Sequence, residues 1–409
     1  MVGITSNKGR LRRRLRRALF WQTRQRSVLL IGLTVSGLGL AQVCISRSRL
    51  AGRFATGDHI GITSSKSLLR KTCPTYGCAL YPLEIDDAAI VAALQTEKND
   101  PQSPRGESTL PPLASHDFAM VTRQSKTHAY NQDRAFFFRN FTTNQSPPGL
   151  PTFLIGLLDG HGTEGHRVAA YATMAIPARL AEKLNARPCC QSEQWIRSQL
   201  VDAFVEIDHE APPNALRGGC TASISLRIGH KLFVANTGDS QILVMHRLNE
   251  EDVNIAYRTR KDKAYLPEEK SRIEGMGGQI HIPPAFPEGS RVIVRSVSVH
   301  PPETIGLAMS RSIGDWEWGS VGVIPDPIVD VVDLTALAGS AFVVAASDGL
   351  WDLRKPEFYA KLLSRAMFDD DGAVFPSRPL SALVEAIYKA APEAAKWYRD
   401  DMTAVVVRI

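Results

Sequence analysis

Four apolar, strand-like runs in this 409-residue chain meet acidic residues at their ends. "FLIGLLDGHG" closes on Asp159, "FVVAASDGLWD" on Asp348 and Asp352, "YRDDMTAVVVRI" opens on Asp400 and Asp401, and "KLFVANTGDSQILV" turns at Gly238 and Asp239. A single Asp-Gly pair is a common turn former. Acids at the ends of four core strands together point elsewhere: carboxylates are oxygen ligands that suit hard divalent cations, and strand ends far apart in sequence can converge in space. Acids gathered in this way repel one another unless cations offset the charge. His161 stands two residues after Asp159, and an imidazole can carry a transferable proton at neutral pH. His166 falls in the helical pattern that follows and reads as a surface or capping residue.

The elements that must position these residues are legible as short runs. "FAMVT", "RAFFF", "TFLIGLLD", "ASISLRI", "KLFVANTGD", "QILVMH", "AFVVAASD" and "TAVVVRI" are β-rich and bounded by turn residues. Between them, "GHRVAAYATMAIPARLAEKLNA", "SEQWIRSQLVDAFVEIDHEA" and "PLSALVEAIYKAAP" repeat apolar residues at three- and four-residue intervals, the period of a helix with one buried face. Strand pairs separated by helix pairs predict sheet layers covered by helices.

The net charge of +6 is unevenly held. Residues 1–57 contain Lys8 and eleven arginines without one Asp or Glu, a segment charge of +12, which leaves −6 on the remainder. The basic character therefore belongs to a tail, and a nucleic-acid partner is not expected of the folded part. Within that tail, residues 28–45, "VLLIGLTVSGLGLAQVCI", lack formal charge. Their length is the lower edge of what spans a bilayer, so they read as a single-pass membrane anchor or, alternatively, as part of a mitochondrial or plastid targeting segment. Residues 58–113 read as a linker, Pro- and Ser-rich toward its end ("KNDPQSPRGESTLPPL"), and residues 114–409 as the catalytic domain. Six cysteines without zinc-ribbon spacing make no disulfide scaffold, and no glycine-rich phosphate loop with its Lys suggests a nucleotide enzyme.

With "DGHG", "GCTA", "VANTGDSQ", "LAMSRSIGD", "ASDGLWD" and "DDMT" in this order, the chain resembles the type 2C metal-dependent serine/threonine protein phosphatases. The resemblance covers essentially everything after the linker. It implies an α+β fold, a four-layer α-β-β-α sandwich of two antiparallel sheets flanked by helices, with a metal cleft at one end holding two Mn²⁺ or Mg²⁺ ions. It further implies that Asp159 bridges the two ions, that Asp133 and the Gly160 carbonyl contribute to the metal site, that Asp348 and Asp400 hold the second ion, and that Asp239 and Asp352 are candidates for a third. His161 is then the general acid for the leaving serine or threonine oxygen, and Ser310, Arg311 and Asp315 are structural parts beside a flap. The implied partner is a phosphoprotein substrate, acted on by a monomer through a metal-activated water.

The chain departs from the family pattern upstream of "DGHG". In "KTHAYNQDRAFFF", Gln132 stands where Glu is usual and His128 where a phosphate-binding Arg is usual, with Lys126 a substitute cation; "DDMT" likewise has Asp401 where Asn is usual. Gln keeps a neutral oxygen but loses a charge, and neither His nor Lys offers the bidentate fork of Arg. These changes leave open a second reading, a pseudophosphatase that keeps the fold as a phosphoprotein-binding scaffold.

Overall fold

The computed structural model describes residues 113–115, 118–125, 127–248, 252–296, 301–337, 341–367 and 400–409. The N-terminal segment with its stretch 28–45, the linker up to residue 112, Lys126 and the expected helix over 379–392 lie outside the described residues. Among the described residues no helix is long and apolar enough to cross a membrane.

Two antiparallel sheets form the centre. One has the order β15 (Ile328–Asp333), β8 (Lys231–Thr237), β7 (Ala222–Ile228), β4 (Thr152–Leu158) and β3 (Arg134–Phe138). The other runs β1 (Leu113–Ser115), β2 (Phe118–Arg123), β17 (Met402–Arg408), β16 (Ala341–Ala346), β9 (Gln241–Arg247) and β10 (Val253–Arg258). Every expected strand run is a strand. The runs are apolar almost throughout because both faces of each sheet are covered. In β4, Ile155 and Leu157 face the inter-sheet core with Phe137, Val234, Val244, Val343 and Val405, whereas Leu154 and Leu158 join Phe136, Ile224 and Phe233 under the helices.

Helices α1 (Gly165–Asn185) and α2 (Glu193–Glu210) cover the five-stranded sheet through Val168, Ile176, Leu180, Leu200 and Phe204. The hydroxyl of Ser192 caps the start of α2 by accepting from the Trp195 amide. Three shorter helices follow, α3 (Pro267–Gly275), α4 (Trp316–Gly319) and α5 (Asp348–Trp351), and then α6 (Pro356–Met367), whose Tyr359 and Leu363 pack on the six-stranded sheet with Val344, Phe342 and Val406. The four-layer α-β-β-α sandwich is thus the observed architecture.

Two small sheets are added to this frame. One, β14 (Ile313–Gly314), β6 (Gly218–Cys220) and β5 (Gly160–Gly162), extends the end of β4. The other, β11 (Gln279–His281), β12 (Arg291–Arg295) and β13 (Thr304–Leu307), packs with α3 around Ile273, Val292 and Trp318. A buried charge network joins this flap region to the sandwich: Glu269 on α3, fully buried, accepts from Arg260, Arg272, Arg311 and the Ser310 hydroxyl. Burial opposes its charge, yet the Arg272 and Arg311 hydrogen bonds hold the Glu269 carboxyl at about 2. Removing one member of such a network leaves cations buried without a counter-charge. Glu269→Gln is therefore expected to lower unfolding free energy by about 3–5 kcal/mol, measured by urea denaturation at pH 7; a change within about 0.5 kcal/mol, the range of ordinary surface substitutions, would contradict the network's role.

Candidate metal centre and catalytic site

Antiparallel pairing decides where the acids meet. The start of β3 lies beside the end of β4, since Arg134 pairs with Leu158, and in the other sheet Ala346 at the end of β16 pairs with Gln241 at the start of β9. Asp133, Asp159, Asp348 and Asp400 flank these strand termini on one end of the sandwich, and the β8–β9 turn brings in Asp239. Burial pushes the Asp159 carboxyl well up, and the charges of Asp133, Asp348, Asp400 and Asp239 push it further. Asp348 is pushed up to about 7 by burial and then by Asp239 and Asp400. Burial likewise raises Asp133 and Asp400.

Hydroxyls at neighbouring strand ends fix these acids. The Asp159 amide donates to Thr221 Oγ1 at 3.1 Å and its carbonyl accepts from the Thr221 amide at 2.9 Å, so the residue that ends β4 is clamped from both sides. Ser347 Oγ donates to Asp133 Oδ2 at 2.8 Å and accepts from the Thr403 amide at 3.0 Å, tying the entry to β3 to the ends of β16 and β17. A Cβ on Gly349 would lie 1.9 Å from the Asp401 carbonyl oxygen, so only glycine lets α5, which starts with Asp348, approach the chain beside Asp400 this closely. Gly160 is equally constrained: its Cβ would sit 2.6 Å from the Gln132 carbonyl and 2.7 Å from that of Gly165. In the sequence the only signals for these two supports are the threonine of "GCTA" and the serine of "ASDG".

These residues fit hard divalent cations. The donors are all oxygens, the carboxylates raise one another's pKa, and Oδ1 of Asp133 and Oδ1 of Asp239 are buried without a hydrogen-bond partner. The pair suggested for a third ion differs from the rest, because each acid already has a lysine. Lys263 Nζ donates to Asp239 and Lys261 Nζ to Asp352 at 2.9 Å, and although burial opposes it, Lys263 draws the Asp239 carboxyl below its ordinary value. A third cation there would compete with two ammonium groups.

His161 lies on β5 beside this cluster. Its Nε2 is 2.6 Å from Asp315 Oδ2, and although burial alone would lower the imidazole pKa, the charge and hydrogen bond of Asp315 raise it. Asp315, expected as a structural part beside the flap, thus also touches the His161 ring, and Ser310 and Arg311 join the Glu269 network. His128 Nδ1 lies 3.0 Å from Asp401 Oδ2, and that hydrogen bond is the main cause of its raised pKa. With Asp400 and Asp401, His128 forms a group whose ligand atoms lie within 4.8 Å of one another. Asp401 also accepts from the amides of Ser125 at 2.6 Å and Gln132 at 2.7 Å. The Gln132 side chain instead turns to the Gly162 carbonyl, donating through Nε2 at 2.8 Å. His166, inside α1, stacks on Tyr130 at 4.8 Å between ring centroids.

A family model described as protein phosphatase 2C matches residues 119–373, more than half of the chain. The chain belongs to the protein phosphatase 2C family. Its similarity to probable protein phosphatase 2C 72 of Arabidopsis thaliana is 28% identity over 250 residues, 59% of this chain and 71% of the relative. Probable protein phosphatase 2C 48 of Oryza sativa subsp. japonica is 28% identical over 284 residues, 64% of this chain and 77% of the relative. Among solved structures, the serine-threonine phosphatase 2C from Toxoplasma gondii superposes with a TM-score of 0.56 at 19% identity, covering 74% of this chain and 98% of that one. A C. elegans sex determining protein gives a TM-score of 0.53 at 19% identity, covering 71% of this chain and 64% of that one. At such identities the two structures speak for the fold. Membership in the protein phosphatase 2C family makes the chain a metal-dependent protein serine/threonine phosphatase by type, with a phosphoprotein as the implied substrate.

Proposed function

We propose that this chain is a catalytically competent phosphatase that hydrolyses phosphoserine and phosphothreonine in proteins, and not a degenerate member that only binds them. The observation carrying this reading is the acid cluster: Asp133, Asp159, Asp348 and Asp400 press on one another's carboxyl groups in a buried strand-end site, an arrangement costly to keep without cations to neutralise it.

Asp133, Asp159 and the Gly160 carbonyl would hold one divalent ion, and Asp159, Asp348 and Asp400 the second. Two such cations supply, when bound, an acidified water and charge that offsets the phosphoryl oxygens in the transition state. The chain's own groups do the rest. Thr221 and Ser347 hold Asp159 and Asp133 in place. The His161 imidazole gives its proton to the departing serine or threonine oxygen, which would otherwise leave as an alkoxide. His128, whose protonated form is favoured by Asp401, offers a positive charge near Asp400 and so takes the part of the missing Arg toward the phosphate.

The test is release of inorganic phosphate from a phosphothreonine peptide. Hydrolysis is expected with Mn²⁺ or Mg²⁺, none in excess chelator, and recovery on adding metal back. Tight peptide binding in Mn²⁺ without turnover would establish the scaffold reading instead.

A further inference from the structure

The small sheet at the end of β4 has strands only two or three residues long, and its central strand is the Gly218–Gly219–Cys220 run. Its register gives it a purpose. His161 on β5 and Gly314 on β14 both pair with Gly219 on β6, one from each side. Asp315, the residue after Gly314, lies across Gly219 from His161, and a Cβ on Gly219 would sit 2.5 Å from Asp315 Oδ2. The missing side chain is thus the opening through which the carboxylate reaches the ring.

Everything around Asp315 fixes that reach. It is buried, in the left-handed region at φ 51° and ψ 43°, a conformation that costs a non-glycine residue free energy and is found at sites where position matters. Its amide donates to the Gly218 carbonyl at 3.1 Å, the Ser312 hydroxyl donates to Oδ2 at 2.6 Å, and the preceding Gly314 amide donates to Asp208 Oδ1 on α2 at 2.8 Å. On the other side, His161 Nε2 is engaged at 2.6 Å, whereas Nδ1 is buried with no hydrogen-bond partner.

We propose that Asp315 is the positioning residue of the proton-transfer step: reaching across Gly219, it binds the Nε2–H edge of His161 and so leaves Nδ1–H as the proton delivered to the leaving oxygen. The inference rests on His161 being the general acid. A ring whose Nε2–H is committed to a carboxylate can lose only its Nδ1 proton without breaking that bond, and the neutral tautomer left behind keeps its hydrogen bond. In the balanced step, a water oxygen bonds to phosphorus and the bond from phosphorus to the serine or threonine Oγ breaks. The electron pair stays on Oγ, which takes the Nδ1 proton, and the water's proton passes to solvent.

Two measurements on the full chain test this. The ¹⁵N spectrum of the wild-type His161 ring in its neutral form is expected to show a protonated Nε2 and an unprotonated Nδ1; the opposite tautomer overturns the proposal and needs no mutant. In kinetics, Asp315→Asn is expected to slow a phosphothreonine peptide about a hundredfold while slowing 4-nitrophenyl phosphate, whose leaving group needs little protonation, by no more than about threefold. His161→Gln should give the same split, and the double variant should add little to it because the two residues act as one unit. If His161→Gln shows the split and Asp315→Asn does not, the Asp315 assignment falls and the acid stands. If His161→Gln slows both substrates equally, the acid reading itself falls.

Discussion

Asp159→Asn is expected to reduce phosphopeptide hydrolysis by well over a hundredfold, since even a group that merely supports a metal ligand costs up to about that much when lost. The same substitution is expected to make the metal-free protein more stable, not less. Burial and four neighbouring acids raise the Asp159 carboxyl far above its ordinary value, so at neutral pH the folded state bears a cost that the unfolded state does not. A neutral amide of the same shape removes it. In excess chelator the Asn variant should therefore melt above wild type. With Mn²⁺ the order should reverse, because wild type gains about 2.7 kcal/mol at a hundred times the dissociation constant and the variant gains less. A variant that is inactive but also less stable in chelator would mean that Asp159 serves the fold first.

The second large effect concerns pH. Asp348 sits at about 7 in the folded state against an ordinary value of 3.8, and Asp133, Asp159 and Asp400 are raised as well. A group that holds its proton more tightly when folded stabilises the native state at low pH, and that contribution drains away as pH rises from the unfolded value through the folded one. The metal-free protein should thus lose stability between about pH 4 and pH 7, by on the order of 4 kcal/mol from Asp348 alone. His128 and His161, both raised, act in the same direction at the upper end of this window. Glu269, held at about 2, loses its contribution only below the ordinary carboxyl range and does not oppose the trend. Saturating Mn²⁺ should flatten or invert the slope, because ligands must be deprotonated to bind. Chemical denaturation across pH, with and without Mn²⁺, reads this directly; parallel profiles in the two conditions would count against the acids as metal ligands.

Both predictions depend on residues that the sequence displays openly. Asp159, Asp239, Asp348 and Asp400 each border a strand long enough to be recognised by itself, and antiparallel pairing leaves few ways to arrange those termini except at one end. What holds and tunes them is less visible. Asp315 reaches His161 from 154 residues away, through strands too short to leave a periodic pattern and across a glycine whose value is an absent side chain. Asp401 beside Asp400 looked like a doubled acid, yet it collects His128 and the amides of Ser125 and Gln132, contacts that exist only after β17 has paired with β2. In "RKDK", nothing marks Lys261 and Lys263 as the partners of Asp352 and Asp239 that the fold makes them. Gln132 stood out as a departure from the family pattern, and its turn toward the Gly162 carbonyl depends on the placement of β5.

The most direct test is one titration of the metal-free chain with Mn²⁺, reading bound metal and phosphothreonine-peptide hydrolysis in the same samples. Hydrolysis rising as the second equivalent binds, with both signals lost in Asp159→Asn, is the predicted result. Two equivalents bound with no hydrolysis at any Mn²⁺ concentration, or hydrolysis that persists with no metal bound, would contradict it.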